Sequence, residues 1–318
     1  MAPRSQEQPP RRALVLGASG QVGRHAVAAL AARGLEVTGT FAAHPAPGLR
    51  RLDVLDDAAV AACVREVRPD VCLLASAFTH VDGCEQDPAR AEAANARAPG
   101  VVAAACRGVG ARVIFLSTEY VFDGTAGPYG EADPTSPVSA YGRTKLEGEA
   151  RVLAADPRNV AVRTTVVFSH DPAGLNFVMQ LLARLGAGER FRVPADQRSS
   201  PTYGPDLAAV LAALCEEELP ARLAACSPAP QLLNVAGDEV LDRHAFAVRV
   251  ARALGLDAGL LDPIATSALG QKAARPLQAG LRVDRLRALG HGLRPLDEAL
   301  ADVARRAGRR VPPALAPK

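Results

Sequence analysis

Ala13-Leu14-Val15-Leu16 runs directly into Gly17-Ala18-Ser19-Gly20-Gln21-Val22-Gly23, and an Ala/Leu-rich stretch follows as far as Gly34. An apolar run of strand length, glycines at every third position and then a helical pattern leave few folds open. Glycines permit a tight turn and close approach of the backbone to a ligand. The helix that begins there presents its N-terminal N–H groups to a pyrophosphate. Gly17, Ser19, Gly20, Gln21, Val22 and Gly23 are therefore candidate dinucleotide contacts, and Gly34 is a natural helix stop.

The alternation continues along the chain. Apolar runs predict strands at 35–40, 70–75, 113–118, 159–168 and 232–235, with helices at 57–67, 88–108, from Tyr141 onward, at 173–186 and at 206–219. Such an order predicts an α/β, doubly wound parallel sheet of the Rossmann type with right-handed crossovers. The stretch 242–306 reads as helix and loop, a smaller C-terminal substrate-binding lobe over the C-terminal sheet edge. The expected division is a disordered lead (1–12) and a dinucleotide-binding domain (13–170). Next comes a mixed region (171–311), mainly the smaller lobe, of which 203–219 and 231–236 return to the first domain. A tail (312–318) ends the chain.

Dinucleotide folds selective for NAD place an Asp or Glu about 20 residues past the glycines, where it meets the ribose 2′-hydroxyl. Here that stretch reads Val37-Thr38-Gly39-Thr40-Phe41, and Glu36 sits at the entering end of the strand. Arg24 and His44 are the cations available for a 2′-phosphate, so NADPH is expected, with NADH as the lesser option. Ser76, Ala77 and Thr79 follow the strand at 70–75. Small residues there suit a flat adenine or ribose, and suit helix–sheet packing equally.

The chemistry concentrates between 113 and 150. Val113-Ile114-Phe115-Leu116 ends in Ser117 and Thr118, so a buried strand delivers hydroxyls at its C-terminal end. Tyr141 and Lys145 then stand four residues apart in a helical stretch, side by side on one face. An ammonium beside a phenol favours the phenolate, which predicts a lowered Tyr141 pKa and a usable acid. The pair is specific, because lysine occurs only at Lys145, Lys272 and Lys318 in a chain that otherwise uses arginine. Thr118 is placed to hold a substrate oxygen from the strand side.

With 48% apolar residues, 22% charged residues and a formal charge of +3, the composition is that of a globular enzyme. It excludes a polyanion-binding arm, so neither nucleic acid nor an anionic membrane is expected as a partner. Residues 1–12 are polar and proline-rich without a signal-peptide core, and no apolar run reaches membrane-spanning length. The six cysteines show no CxxC and no histidine at ligand spacing, which predicts buried thiols, no metal site and a reduced, cytoplasmic setting.

Taken together, GASGQVGR, LASAFTHVDGCE, STEYVFDG, PYGEADPTSPVSAYGRTKLEGE, Asn176-Phe177-Val178, DQRSSPT and Arg275-Pro276 resemble the extended short-chain dehydrogenase/reductase superfamily, and within it the dTDP-4-dehydrorhamnose reductase family. The regulatory β subunit of methionine adenosyltransferase is similar too, and the stretch DPIATSALGQKAARPLQAGLRVDRLRALG is at least as close to that branch. The resemblance implies an NAD(P)H-dependent reductase of a 4-keto nucleotide sugar with Thr118, Tyr141 and Lys145 as the catalytic set. The alternative it leaves open is a non-catalytic NADP-binding regulatory subunit. It implies cofactor contacts at Gln21, Val22, Asp53, Val54, Ser76, Ala77 and Thr79. It also implies substrate contacts at Thr118, Glu119, Val166, Asn176 and Arg275, and a homodimer is compatible with it. The chain departs from the family pattern in three places. Glu119 replaces the usual Asp, Ser199 the usual Gly, and Val166 the tryptophan that would face a sugar ring. Valine cannot stack on a ring.

Overall fold

The structure, a computed structural model, describes residues 11–171 and 176–310. Residues 1–10 of the expected lead, the tail and the start of the helix predicted at 173 lie outside the described residues, whereas Arg12, assigned to the lead, already belongs to the first strand.

Seven strands form one fully parallel sheet: β1 (Arg12–Leu16), β2 (Glu36–Phe41), β3 (Arg50–Arg51), β4 (Val71–Leu74), β5 (Arg112–Thr118), β6 (Val160–Thr164) and, much later in the chain, Leu232–Asn234. Across the sheet, the first six run in the order 6-5-4-1-2-3, with Leu232–Asn234 beside β6. The chain winds outward from β1 to β3 and then returns to β4, so the order reverses between β1 and β4. In sheets of this kind ligands bind at that reversal, beyond the C-terminal strand ends.

Both faces of the sheet are covered, which is why β4 is buried at every position and β1 and β5 nearly so. On one face lies α1 (Gln21–Ala32). On the other lie α2 (Asp57–Val67), the short α3 (Val81–Gln86) and α4 (Pro88–Glu92), then α5 (Ala98–Gly108) and α6 (Ala140–Ala155). The helix predicted at 88–108 is interrupted by a π turn at Ala93–Arg97. There Asn95, fully buried, leaves the helical pattern to clamp the backbone of Phe78 through both its amide atoms (2.8 and 3.0 Å). Wide turns of this type are rare in helices and cluster at functional sites.

The strand predicted at 159–168 is two. Val166, at φ +38°, breaks it into β6 and β7 (Val167–Phe168). After α7 (Phe177–Gly186) come β8 (Phe191–Pro194), β9 (Arg198–Ser199) and β10 (Thr202–Tyr203), which pairs in parallel with β7. The single helix expected at 206–219 is α8 (Gly204–Leu214), packed along α1, and a separate α9 (Glu218–Ala224). Asp206, in the first turn of α8, accepts from Arg294. β11 (Leu232–Asn234) then completes the main sheet.

The remainder, expected as helix and loop, also contains strands. β12 (Leu241–Asp242) is antiparallel to β9, and β13 (Leu261–Ile264) is parallel to β8. With α10 (Arg243–Ala253), α11 (Asp284–Ala288) and α12 (Leu296–Arg306), they complete the described chain. A separate apolar cluster of Phe168, Val178, Leu181, Val193, Tyr203, Phe246 and Leu300 holds this part together. Five of the six cysteines are buried and all are free.

Candidate active site

Two clefts meet at the C-terminal ends of the strands. The first, about 420 Å³, is lined by the turn Gly20–Gly23, by Ala77 and Thr79 after β4, by Thr118, and by Tyr141 and Lys145 of α6. The turn is sterically obligatory. A Cβ on Gly17, at φ +87°, would stand 2.8 Å from the Ser76 nitrogen, and one on Gly23 would stand 2.1 Å from the Gly17 carbonyl oxygen. Gly17 and Ser76 thus bring β1 and β4 into contact at the point of reversal, and Gly23 lets α1 start directly on the turn. Gln21 donates to the Val167 carbonyl and to Ser169 (3.3 and 3.1 Å), fixing the turn to the chain beyond β6.

The second cleft, about 580 Å³, shares Thr79, Val166 and Val167 with the first. Its other walls are Tyr120, Phe177, Phe191, Gln197 and three arginines, Arg192, Arg243 and Arg275. Arg275 is held by Asp82 (2.9 Å), whereas Arg192 and Arg243 have no ion pair among the described residues.

Ser139 caps α6 by accepting from the Gly142 N–H, and this cap sets the phase that turns Tyr141 and Lys145 inward. Tyr120 meets the Tyr141 ring edge-on at 5.5 Å. Burial pushes the Tyr141 phenol well above its ordinary value, and a hydrogen bond with the Thr118 side chain opposes this only in part. The expectation that Lys145 lowers it is therefore corrected. The Lys145 Nζ donates to the Leu116 carbonyl (2.7 Å) and lies 3.9 Å from the Phe115 ring centroid. It is itself driven down to about 7 by burial, against the pull of Glu149. Desolvation of both groups outweighs their adjacency.

Not every expected residue reaches a cleft. Glu119 is 2% exposed, and its carboxylate accepts from the Thr165 hydroxyl and from the Gly280 N–H (2.9 Å), tying β5 to a segment 161 residues away. Asn176 caps α7 and donates to the Ser169 carbonyl (3.1 Å). Arg24 pairs with Asp171 and donates to the Ser19 carbonyl. Asp53 accepts from the Leu55 N–H and Val54 is buried, both just beyond β3. Tyr120, Arg192, Gln197 and Arg243 were not singled out from the sequence. Arg192 and Arg243 lie among many arginines, with nothing local to separate them from solvated ones.

Burial raises the Glu119 carboxyl from 4.5 to about 7. A folded-state value above the unfolded one favours folding most below about pH 4.5, and the contribution is lost as pH rises through about 7. Wild-type stability should therefore fall by about 2 kcal/mol between about pH 5 and pH 7 from this group. Glu119→Gln should flatten that slope in urea titrations. Lys145 does not compensate, because its contribution returns only as pH rises from about 7 toward 10.5. An unchanged slope in the variant rejects the assignment.

The profile of the RmlD substrate binding domain matches residues 11–308. The chain belongs to that family. A dTDP-4-dehydrorhamnose reductase of Streptomyces griseus is 38% identical over 311 residues, 96% of this chain and 98% of the relative. A probable dTDP-4,6-dihydroxy-2-methyloxan-3-one 4-ketoreductase of Streptomyces antibioticus is 36% identical over 290 residues, 90% of each. Among solved structures, the dTDP-4-dehydrorhamnose reductase of Bacillus anthracis in complex with NADP superposes with a TM-score of 0.80 at 25% identity, covering 94% of this chain and 98% of that one. The two chains therefore share their overall fold.

Proposed function

We propose that this protein is an NADPH-dependent reductase of a 4-keto nucleotide sugar. The observation that carries the reading is the position of Thr118, Tyr141 and Lys145 where a glycine-turn cleft adjoins an arginine-lined one. The first cleft suits a dinucleotide, since the Gly17 and Gly23 positions exclude side chains and leave backbone N–H groups at the start of α1. A bound reduced nicotinamide would supply a hydride to the ketone carbon. The Thr118 hydroxyl orients the ketone oxygen, and Tyr141 gives it a proton. A phenol held above its ordinary value is a fully protonated donor at neutral pH, and an alkoxide is basic enough to take its proton. In the second cleft, Arg192 and Arg243 suit a diphosphate, and Phe177 and Phe191 offer ring faces to a base. Residues of α7, β8, α10 and the stretch after β13 thus act as a substrate lobe on a dinucleotide-binding half. Similarity to reductases of two different dTDP sugars, with Val166 in place of an aromatic platform, leaves the ring itself to experiment.

Arg51 supports the preference for NADPH. It stands in register with Phe41 at the end of β2, exposed and without an ion pair among the described residues, whereas Arg50 is paired with Glu66. Arg51→Ala should weaken NADPH binding about tenfold, the scale of one lost charged hydrogen bond, and leave NADH unchanged. Incubation with NADPH and a panel of dTDP-4-keto sugars tests the activity. Oxidation of NADPH with one of them supports the reading. NADPH binding with no reduction of any, together with capture of a partner enzyme, would favour a regulatory subunit.

A further inference from the structure

The opposite end of the sheet carries another cleft, of about 530 Å³, at the starts of β1, β4, β5, β6 and β11. Five arginines line it, Arg11, Arg12, Arg68, Arg112 and Arg158, against two carboxylates, Asp70 and Glu217. Arg11 is paired with Glu217 (3.1 Å) and Arg158 with Asp156 (2.7 Å). Asp70 accepts from the backbone N–H of Arg12 (2.7 Å). The side chains of Arg12, Arg68 and Arg112 have no carboxylate partner among the described residues.

Arg112 is the informative one. It is 7% exposed, its Nη2 donates to the Glu216 carbonyl, and its Nη1 is buried with no hydrogen-bond partner. A buried charged donor left unpaired costs about 1–3 kcal/mol or more, so Arg112 is short of an acceptor within the protein. The cleft is also built in advance. Asn159 is fixed by the Val113 N–H and the Val152 carbonyl, and Gln231 donates to the carbonyls of Asp156 and Asn159. Pro69, Pro157, Pro220 and Pro230 form stiff apolar walls. Guanidinium forks match phosphate oxygens, and a volume of this size falls within the roughly 300–1,000 Å³ range of small-molecule sites.

We propose that this cleft binds a diphosphate-bearing anion, with Arg12, Arg68 and Arg112 holding its oxygens. The site is separate from the reacting groups, which stand at the other ends of the same strands. Along β5, Arg112 and Thr118 are six residues apart, on the order of 20 Å.

The test is calorimetric titration of the full chain with inorganic pyrophosphate and with ADP. Arg12→Ala combined with Arg68→Asn removes two cations at solvent-accessible positions, and Asn tolerates the left-handed backbone of Arg68 (φ +45°). Binding of pyrophosphate weakened at least tenfold in this variant, and retained in Arg243→Ala of the substrate cleft, is the expected result. ADP binding tighter than pyrophosphate would identify a nucleotide, with the proline walls covering its base; equal affinity would identify the inorganic anion. Binding that is lost only in Arg243→Ala overturns the proposal, as does binding unchanged in both variants or absent from the wild type. A dimer in sedimentation that dissociates in Arg12→Ala/Arg68→Asn, with pyrophosphate affinity unaltered, would instead make this face a docking surface for a second copy.

Discussion

Tyr141→Phe should reduce turnover by about 10²–10⁴-fold while leaving NADPH affinity almost unchanged. The substitution deletes one oxygen from a side chain that is 9% exposed and keeps the ring against Tyr120, so packing is preserved. What disappears is the proton donor and its hydrogen bond with Thr118. Steady-state kinetics on the reduced substrate, with cofactor binding followed by fluorescence, separates the two effects. Turnover equal to wild type removes Tyr141 from the proposed chemistry. Loss of cofactor binding would show that the ring, and not the proton, had been disturbed.

Glu149→Ala should destabilise the protein by about 3–5 kcal/mol, seen as a large drop in the urea midpoint. Glu149 and Arg163 are each 3% exposed at their side chains and are joined by two hydrogen bonds of 2.7 and 3.0 Å. Ser117 donates to the same carboxylate, so α6, β5 and β6 converge on it. Removing the carboxylate leaves a buried guanidinium whose remaining contacts among the described residues are a long one to the Glu131 carbonyl (3.4 Å) and the Phe122 ring. Replacing both partners together, as Glu149→Leu with Arg163→Met, should recover much of the loss, because no buried charge then remains unpaired. A small effect for Glu149→Ala alone would mean that Arg163 finds water or another acceptor.

Local pattern made the framework readable. The glycine turn, the alternation of strands and helices, and the Tyr141/Lys145 spacing each depend on neighbours within a few residues. The cleft at the glycine turn could be read in the same way. Glu119 and Arg24 could not, because their partners, Gly280 and Asp171, lie far along the chain. Asn176 shows a different limit: an N-cap and a ligand contact use the same residue type at the same place. The Tyr141 phenol went the other way from expectation because spacing shows adjacency but not burial, and burial is the larger influence here. The break at Val166 was hidden by composition, since a β-branched residue reads as strand and is uncommon at positive φ. Such strain persists only where surrounding structure holds it, and here it sits on the wall between two clefts.

That wall has a kinetic consequence. Thr79, Val166 and Val167 face both clefts, so a ligand in one forms part of the surface presented to a ligand in the other. The molecule lodged against the glycine turn would be covered by whatever occupies the arginine-lined side. Arrival should then be sequential and departure the reverse, with the second molecule to enter leaving first. Product inhibition patterns would reveal it: the oxidised dinucleotide should compete with the reduced one, and the sugar product should not.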